Sequence, residues 1–141
     1  MGRRKAREIA VQVLYQLDMN RDDNAEHALQ VFWEQYRHTD EVREFATRLV
    51  RGAAENREKI DTAITRTSKN WSFNRITPVD RSILREAVFE ILFCPDIPYK
   101  VTLNEAIELG KKFGSEKSGA FINGVLDNVL ESKPGVQTGG G

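Results

Sequence analysis

The sequence predicts an all-α fold of about seven helices, and three observations support this prediction. Apolar residues recur at spacings of three and four along most of the 141-residue chain, as they do on the buried face of a helix. Several of these stretches begin with Thr, Ser, Asp or Asn and end near Gly or Pro, the residues that cap and stop helices. No segment shows the sustained alternation of apolar and polar residues, bounded by hairpin turns, that indicates strands.

Four helices are predicted in the first half of the chain. The first covers Arg3 to Leu17, and a turn rich in Asp and Asn follows at residues 20–24. The second covers Ala25 to about Tyr36, the third is expected to be capped by Asp40, and the fourth by Asn56. The predicted buried face of the first helix consists of Ala6, Ile9, Ala10, Val13, Leu14 and Leu17.

The second half of the chain contains the predicted central helix. Thr77 is a favourable N-cap, and Pro78 suits the first helical position because its missing N–H needs no partner there. Apolar residues then surround most of the helix circumference, which predicts burial on more than one side. Pro95 ends this helix because it cannot continue the hydrogen-bond ladder.

Two further helices are predicted after the central one. Thr102 and Glu105 have the spacing of a capping box, in which each side chain satisfies a backbone N–H at the helix start. Gly114 is expected to end that helix in a left-handed conformation, and Ser118 to cap the last helix. The inward-facing residues of the first of these two helices are predicted to be Leu103, Ala106, Ile107, Gly110 and Phe113.

The predicted domain organisation is simple. Residues 1–133 are expected to form a single helical domain, and residues 134–141 a flexible C-terminal tail. A connector at residues 69–76 joins the two halves of the chain, and its Trp71 and Phe73 are expected to pack against the core.

Composition excludes several classes of protein. The 21 basic and 21 acidic side chains give a formal net charge of zero, and no apolar run approaches the ~20 residues of a membrane span. Cys94 is the only cysteine, so the chain can form neither an intrachain disulfide nor a cysteine metal cluster. No secretion signal, catalytic triad, metal-ligand set or cofactor motif is present. We therefore expect a cytoplasmic protein that is not an enzyme, holds no metal or cofactor and does not contact a membrane.

The first helix begins with an excess of positive charge. Cations at a helix N-terminus oppose the helix dipole, so their clustering predicts an anionic partner, with a merely solvated helix start as the alternative. At 100° per residue, Arg4 and Tyr15 lie about 20° apart and Arg7 about 60° from Arg4, which predicts one shared outward face. Arginines that bind phosphates beside a tyrosine that stacks on a base suit single-stranded RNA. Residues 1–17 contain one acid, Glu8, and four basic residues, Arg3, Arg4, Lys5 and Arg7.

Four motifs resemble the NusB family of bacterial transcription antitermination factors. They are R-R-K-A-R-E-I-A-V-Q-V-L-Y at residues 3–15, P-V-D-R-S-I-L-R-E-A-V-F-E-I-L at 78–92, D-I-P-Y-K-V-T-L-N-E-A-I-E-L at 96–109 and F-I-N-G-V-L-D at 121–127. The resemblance implies a compact bundle of two three-helix halves that share one core.

The resemblance also implies a function in RNA binding. Members of this family bind boxA, a short single-stranded RNA element in the leaders of ribosomal RNA operons, and so support ribosomal RNA transcription. Lys117 and Gly110 depart from the family pattern, which often has an acidic or amide residue at the first position and Ala at the second. The RNA-binding residues implied for this chain are Arg3, Arg4, Lys5, Arg7, Tyr15, Lys117 and Phe121.

Protein partners are implied as well. The family binds NusE, a small-subunit ribosomal protein, and the complex joins RNA polymerase together with other Nus factors. The implied contact surface lies around the start of the central helix, with Asp80 and Glu90 as its residues in this chain. Some family members dimerise, which makes a homodimer a further possibility. The alternatives are a helical protein-interaction module and an RNA-recognition subunit for an RNA-modifying enzyme.

Overall fold

The computed structural model describes residues 2–68 and 75–133, and the elements within these two ranges are seven α-helices. The prediction of an all-α fold with about seven helices is confirmed. Trp71, Phe73 and the predicted tail at residues 134–141 lie outside the described residues. The helices are α1 (Arg3–Met19), α2 (Ala25–Gln35), α3 (Asp40–Glu55), α4 (Arg57–Thr67), α5 (Pro78–Phe93), α6 (Tyr99–Phe113) and α7 (Ser118–Ser132).

The helix α5 is the centre of the bundle, as predicted. It begins as expected, since the Thr77 side chain accepts a hydrogen bond from the Asp80 N–H and Pro78 occupies the first turn. Every residue from 82 to 91 is buried, because α5 packs against α1 and α3 on one side and against α4, α6 and α7 on the other. Helices α1 to α3 and α5 to α7 thus form two three-helix halves with one shared core.

The packing of α5 on α3 at Gly52 depends on the absence of a side chain there. A Cβ placed on Gly52 would lie 2.0 Å from Cζ of Phe89, well inside van der Waals contact. The Phe89 ring therefore packs directly on the α3 backbone. Any larger residue at this position would have to displace the Phe89 ring, which is buried in the core.

Two of the predicted helix caps in the first half differ from the observed ones. The side chain that caps α3 is Thr39, which accepts from the Val42 N–H at 3.3 Å, and Asp40 is the first helical residue instead. Asn56 does occupy the N-cap position of α4, but its side-chain amide donates to the Gly52 carbonyl at the end of α3. Asn56 alone separates α3 from α4, and its side chain bonds to the end of α3 instead of capping the start of α4.

The start of α6 also differs from the prediction. The helix begins at Tyr99, one turn before Thr102, and Pro98 occupies the N-cap position. Thr102 is buried inside the helix, and its hydroxyl donates to the Glu90 carboxylate at 2.8 Å. The physical reason is that a buried carboxylate needs hydrogen-bond donors more than an exposed helix start needs a cap.

The turn between α6 and α7 requires glycine at position 114 because no side chain fits there. The prediction of a left-handed Gly114 is wrong, because its φ of −96° and ψ of −163° are extended. A Cβ at this position would lie 2.2 Å from the Ser118 Oγ. That hydroxyl accepts from the Ser115 N–H at 2.9 Å and so holds the turn closed from the first residue of α7, where Lys117 has the N-cap position.

Candidate nucleic-acid interface

The first turn of α1 presents three exposed cations, Arg3, Arg4 and Lys5. No acidic residue lies in this turn, and Gly2 at the N-cap has no side chain with which to cap it. The positive end of the helix dipole and three positive side chains therefore coincide. This end of α1 is a favourable place for an anion, as the sequence predicts.

The exposed cations of this turn have separate surroundings. The Arg3 guanidinium stacks on the Phe45 ring of α3, with Cζ 4.3 Å from the ring centroid. Arg4 extends toward α6, whereas Lys5 lines a groove that also includes Tyr15. The cations thus cover a broad surface, which suits an extended ligand better than a single small anion.

Arg4 is held in place by a carboxylate on α6. Its Nε and Nη2 donate to the two carboxylate oxygens of Glu105 at 3.0 and 2.9 Å. The hydrogen bond and charge of Glu105 raise the pKa of Arg4, so the guanidinium stays charged. The Arg4 side chain is still 67% exposed, and the contact leaves Nη1 unused. Glu105 therefore orients a guanidinium whose outer edge faces solvent.

Arg7 is a core residue, and its predicted position on the outward face with Arg4 and Tyr15 is wrong. The side chain is 3% exposed, and its Nε and Nη2 each donate to Glu90 at 2.8 Å. Burial by itself would lower the pKa of Arg7, but the hydrogen bonds and charge of Glu90 outweigh it and raise the pKa. Because α1 packs on both α3 and α5, a rotation of about 60° from Arg4 is enough to reach the interior.

Glu90 is buried as well, which corrects its predicted place on a partner-binding surface. Its side chain is 0% exposed and accepts hydrogen bonds from Arg7 and Thr102. Burial would raise the pKa of Glu90, but hydrogen bonds from Glu86 and Arg7 outweigh it and lower the pKa. Together with Glu86, the residues Arg7, Glu90 and Thr102 form a buried ionic cluster.

Glu86 is the member of the buried ionic cluster whose pKa is raised most clearly by burial. Its burial raises its pKa well above the ordinary value, and the neighbouring charge of Glu90 acts in the same direction. Burial and the neighbouring charge of Glu90 thus both favour the protonated form of Glu86. The sequence offered no sign of this cluster, because its members come from three different helices.

Asp80, the other residue predicted for a partner surface, lies in the first turn of α5 and is 7% exposed. Its Oδ1 has no hydrogen-bond partner among the residues that the structure describes. Beside it, Arg81 and Arg85 bind Asp18 of α1 at 2.6 and 3.0 Å. Burial would raise the pKa of Asp18, but these two arginines lower it, so the network ties α1 to α5.

Tyr15 lies where the sequence predicts it, on the solvent side of α1, and is 37% exposed. It borders a groove of about 390 Å³ between α1 and α6. Phe113 forms part of the same groove and is 46% exposed, although its helical spacing predicted an inward position. Being the last residue of α6, it extends beyond the neighbouring core. The lining residues are Lys5, Glu8, Ile9, Val11, Gln12, Tyr15, Val79, Lys112 and Phe113.

Lys117 and Phe121 lie apart from this groove. Lys117 is exposed at the start of α7, and Phe121 is half-buried and packs against the core. Neither residue lines the groove beside Tyr15. The structure therefore brings Lys5 and Tyr15 together in one groove, with Arg3 and Arg4 in the same turn as Lys5, and places neither Lys117 nor Phe121 in its lining.

Neither a metal site nor a membrane-spanning helix is found among the residues that the structure describes. Within residues 2–68 and 75–133, no three His, Cys, Asp or Glu side chains come together as a metal ion would need. Across the same part of the chain, none of the helices combines the length and the apolar character required to cross a membrane.

Comparisons with known proteins agree on one family. The NusB family model matches residues 4–131. The transcription antitermination protein NusB of Syntrophus aciditrophicus is 53% identical over 125 residues, which cover 89% of this chain and 77% of the relative. The same protein of Geobacter sulfurreducens is 51% identical over 133 residues, with 94% of this chain and 96% of the relative covered.

Solved structures give the same result. NusB of T. maritima superposes with a TM-score of 0.83 at 39% identity, covering 92% of this chain and 91% of that one. A crystal structure of the antitermination factors NusB and NusE in complex with dsRNA gives a TM-score of 0.82 at 31% identity, covering 94% and 98%. With the seven-helix bundle and the cationic start of α1, these matches show that the chain belongs to the NusB family.

Proposed function

We propose that this chain is a transcription antitermination factor that binds boxA-type single-stranded RNA of ribosomal RNA operon leaders together with NusE. It supports ribosomal RNA transcription in the cytoplasm, through a complex with RNA polymerase and other Nus factors, and does so by binding and without catalysis. The observation that carries this proposal is the exposed cationic first turn of α1 beside the half-exposed ring of Tyr15.

The chemistry of this surface favours RNA over a generic anion. Guanidinium and ammonium groups bind the phosphates of a strand, while an exposed aromatic ring offers a stacking surface for a base that is not paired. The Arg4 guanidinium is oriented by Glu105 before any ligand arrives, which reduces the entropy lost on binding. Arg7 has no part in this contact, since its charge is committed to Glu90.

The proposed surface for NusE is the region around the start of α5. Relatives of this chain have been crystallised as NusB and NusE in complex with dsRNA, which supports a joint RNA and protein assembly. The Asp80 carboxylate is largely buried, so a partner would contact the rim around it more than the carboxylate itself.

The experiment is a titration of fluorescently labelled boxA RNA, followed by anisotropy, with and without purified NusE. The single strand should bind, and NusE should tighten this binding, whereas a scrambled strand of equal length should bind more weakly. A duplex of the same sequence tests whether the site requires unpaired bases. If neither the chain alone nor the chain with NusE prefers boxA RNA over the scrambled strand, the proposal is wrong.

Light scattering on the same samples tests the alternative of a self-associating interaction module. A monomer, or a dimer that dissociates when RNA is added, agrees with the proposal. A stable dimer of unchanged mass that excludes RNA would favour the alternative.

A further inference from the structure

We propose that the groove between α1 and α6 receives one unpaired nucleobase of the bound RNA, stacked against the rings of Tyr15 and Phe113. Lys5 and Lys112 at its rim would bind the flanking phosphates. This inference rests on the proposed RNA-binding function and adds a specific base site to it. It also gives a role to Phe113, which the sequence predicts to be a core residue.

The groove has the composition of a site for a flat apolar ligand. Its floor is formed by aliphatic side chains of α1 and by Val79 at the start of α5, and two aromatic rings are half-exposed at its edge. A volume of about 390 Å³ lies near the lower end of the ~300–1,000 Å³ typical of small-ligand pockets. Such a size suits a single planar base and is small for a protein helix, which is ~10–12 Å across with its side chains.

The rim of the groove carries a net positive charge. The Lys112 Nζ lies 2.7 Å from Oε1 of Glu8, and the Lys5 Nζ lies 3.7 Å from Oε2 of the same carboxylate. One glutamate is therefore shared by two lysines whose side chains are 58% and 55% exposed. The excess charge attracts phosphate, and the shared Glu8 keeps both ammonium groups at the groove entrance.

Lys112 also connects the rim to the aromatic wall. Its Nζ lies 5.3 Å from the centroid of the Phe113 ring, within cation–π range. A base stacked on Phe113 would thus lie beside a cation that can reach its phosphate. This pairing of ring and cation is the arrangement that single-stranded nucleic acid sites use.

Continuity with the first turn of α1 favours RNA over an aromatic peptide side chain as the occupant. Lys5 belongs both to the exposed cationic turn and to the groove lining. A strand whose phosphates contact Arg3 and Arg4 therefore continues directly into the groove. An acidic peptide would meet the same cations, but it lacks the regular alternation of anion and planar ring that this surface matches.

The test measures RNA affinity as a function of salt for Phe113→Ala, with Phe113→Trp as the conservative variant. Loss of one stacked base should weaken binding about tenfold for Phe113→Ala, and the Trp variant should restore it. The slope of affinity against salt should not change, because stacking releases no counterions. Val101→Ala is the matched control, since Val101 is 43% exposed on the same helix and does not line the groove.

A second measurement locates the base directly. The base 2-aminopurine is substituted at successive positions of the boxA strand, and its fluorescence is measured. At one position the fluorescence should be quenched when the strand binds the natural chain, and this quenching should be lost with Phe113→Ala. Thermal unfolding of each variant verifies that the fold is intact.

The outcomes separate this inference from the proposed function. If the natural chain binds boxA RNA and Phe113→Ala binds equally well, the groove inference fails alone. If Phe113→Ala loses NusE binding while RNA affinity stays unchanged, the groove belongs to a protein contact and the inference is overturned. If the natural chain does not prefer boxA RNA, both proposals fail.

Discussion

Two ion pairs on the same helix show how burial separates a charge that supports the fold from one that is open to solvent. Arg4 and Arg7 lie one turn apart on α1, and each donates Nε and Nη2 to both oxygens of one glutamate. The chemical contact is the same in both pairs. Arg4 is nevertheless 67% exposed, whereas Arg7 is 3% exposed.

The same contact therefore fixes the fold in one place and orients an exposed guanidinium in the other. Around Arg7, the glutamate supplies the charge that a buried guanidinium must have, and the pair locks α1 against α5. Around Arg4, water already solvates the guanidinium, so the Glu105 contact adds orientation and little stability. Of these two arginines, only Arg4 is accessible to an incoming phosphate, which it can bind in place of Glu105 or together with it.

The largest expected effect is on stability, for Arg7→Ala. Removing this arginine leaves the Glu90 carboxylate buried without its counter-charge, which should cost about 3–5 kcal/mol in the free energy of unfolding. Urea unfolding followed by circular dichroism measures this cost. Arg4→Ala is the matched control and should unfold like the natural chain. Equal losses for the two variants would remove the distinction between the pairs.

The carboxylate partners give the second test. Glu90→Gln keeps the shape but removes the charge that balances the buried Arg7 guanidinium, so by the same argument it should cost up to about 3–5 kcal/mol. Glu105→Gln, at the exposed pair, should cause no measurable change in the urea midpoint. A destabilised Glu105→Gln variant would mean that the exposed pair also supports the fold.

The third test uses pH, because the buried ionic cluster contains a carboxyl group whose pKa is raised. Burial raises the pKa of Glu86 in the folded chain above its ordinary value of 4.5. Above that pH the unfolded chain loses this proton while the folded chain keeps it, so Glu86 lowers stability as pH rises. The pKa of Glu90 is lowered, so Glu90 has the opposite effect on the free energy of unfolding. Its contribution to stability is lost as the pH falls.

Glu86→Gln should therefore remove the Glu86 part of the pH dependence. Below pH 4.5 the variant and the natural chain should have similar free energies of unfolding, since glutamine mimics the protonated side chain. At higher pH the variant should gain up to about 1.4 kcal/mol per pH unit relative to the natural chain, until the folded pKa is reached. Parallel pH curves for the two chains would show that Glu86 is not held neutral.

The smallest expected effect is that of Arg4→Lys on RNA binding. A lysine retains the charge but loses the planar, bidentate contact, so RNA affinity should fall by only roughly threefold. The salt slope should stay the same because the number of charges is unchanged. A loss as large as that of Arg4→Ala would indicate that geometry matters more than charge at this position.

The fold was largely predictable because its signals are local. Thr77 and Pro78 mark the start of α5 in the sequence, and the apolar residues around its circumference already indicate burial on several sides. Helical spacing also placed Tyr15 on the solvent side of α1. These features need only neighbouring residues to be interpreted.

The site was less predictable because its residues are decided by distant contacts. A helical wheel gives the angle between Arg4 and Arg7 but does not reveal that α1 is packed on two sides. Thr102 fits a capping box until the buried Glu90 supplies a stronger need for its hydroxyl. Phe113 follows the inward spacing of α6, yet it lies at the last turn, beyond the core that would cover it.

The most direct test of the proposed RNA contact is the salt dependence of boxA RNA affinity for the double variant Arg4→Ala, Lys5→Ala. If these exposed cations bind phosphates, the log–log slope should become shallower by about 1.4, at 0.7 per contact on a single strand, with an unchanged urea midpoint. An unchanged slope in a folded variant would mean that the first turn of α1 does not contact the RNA, and the proposed contact would be wrong.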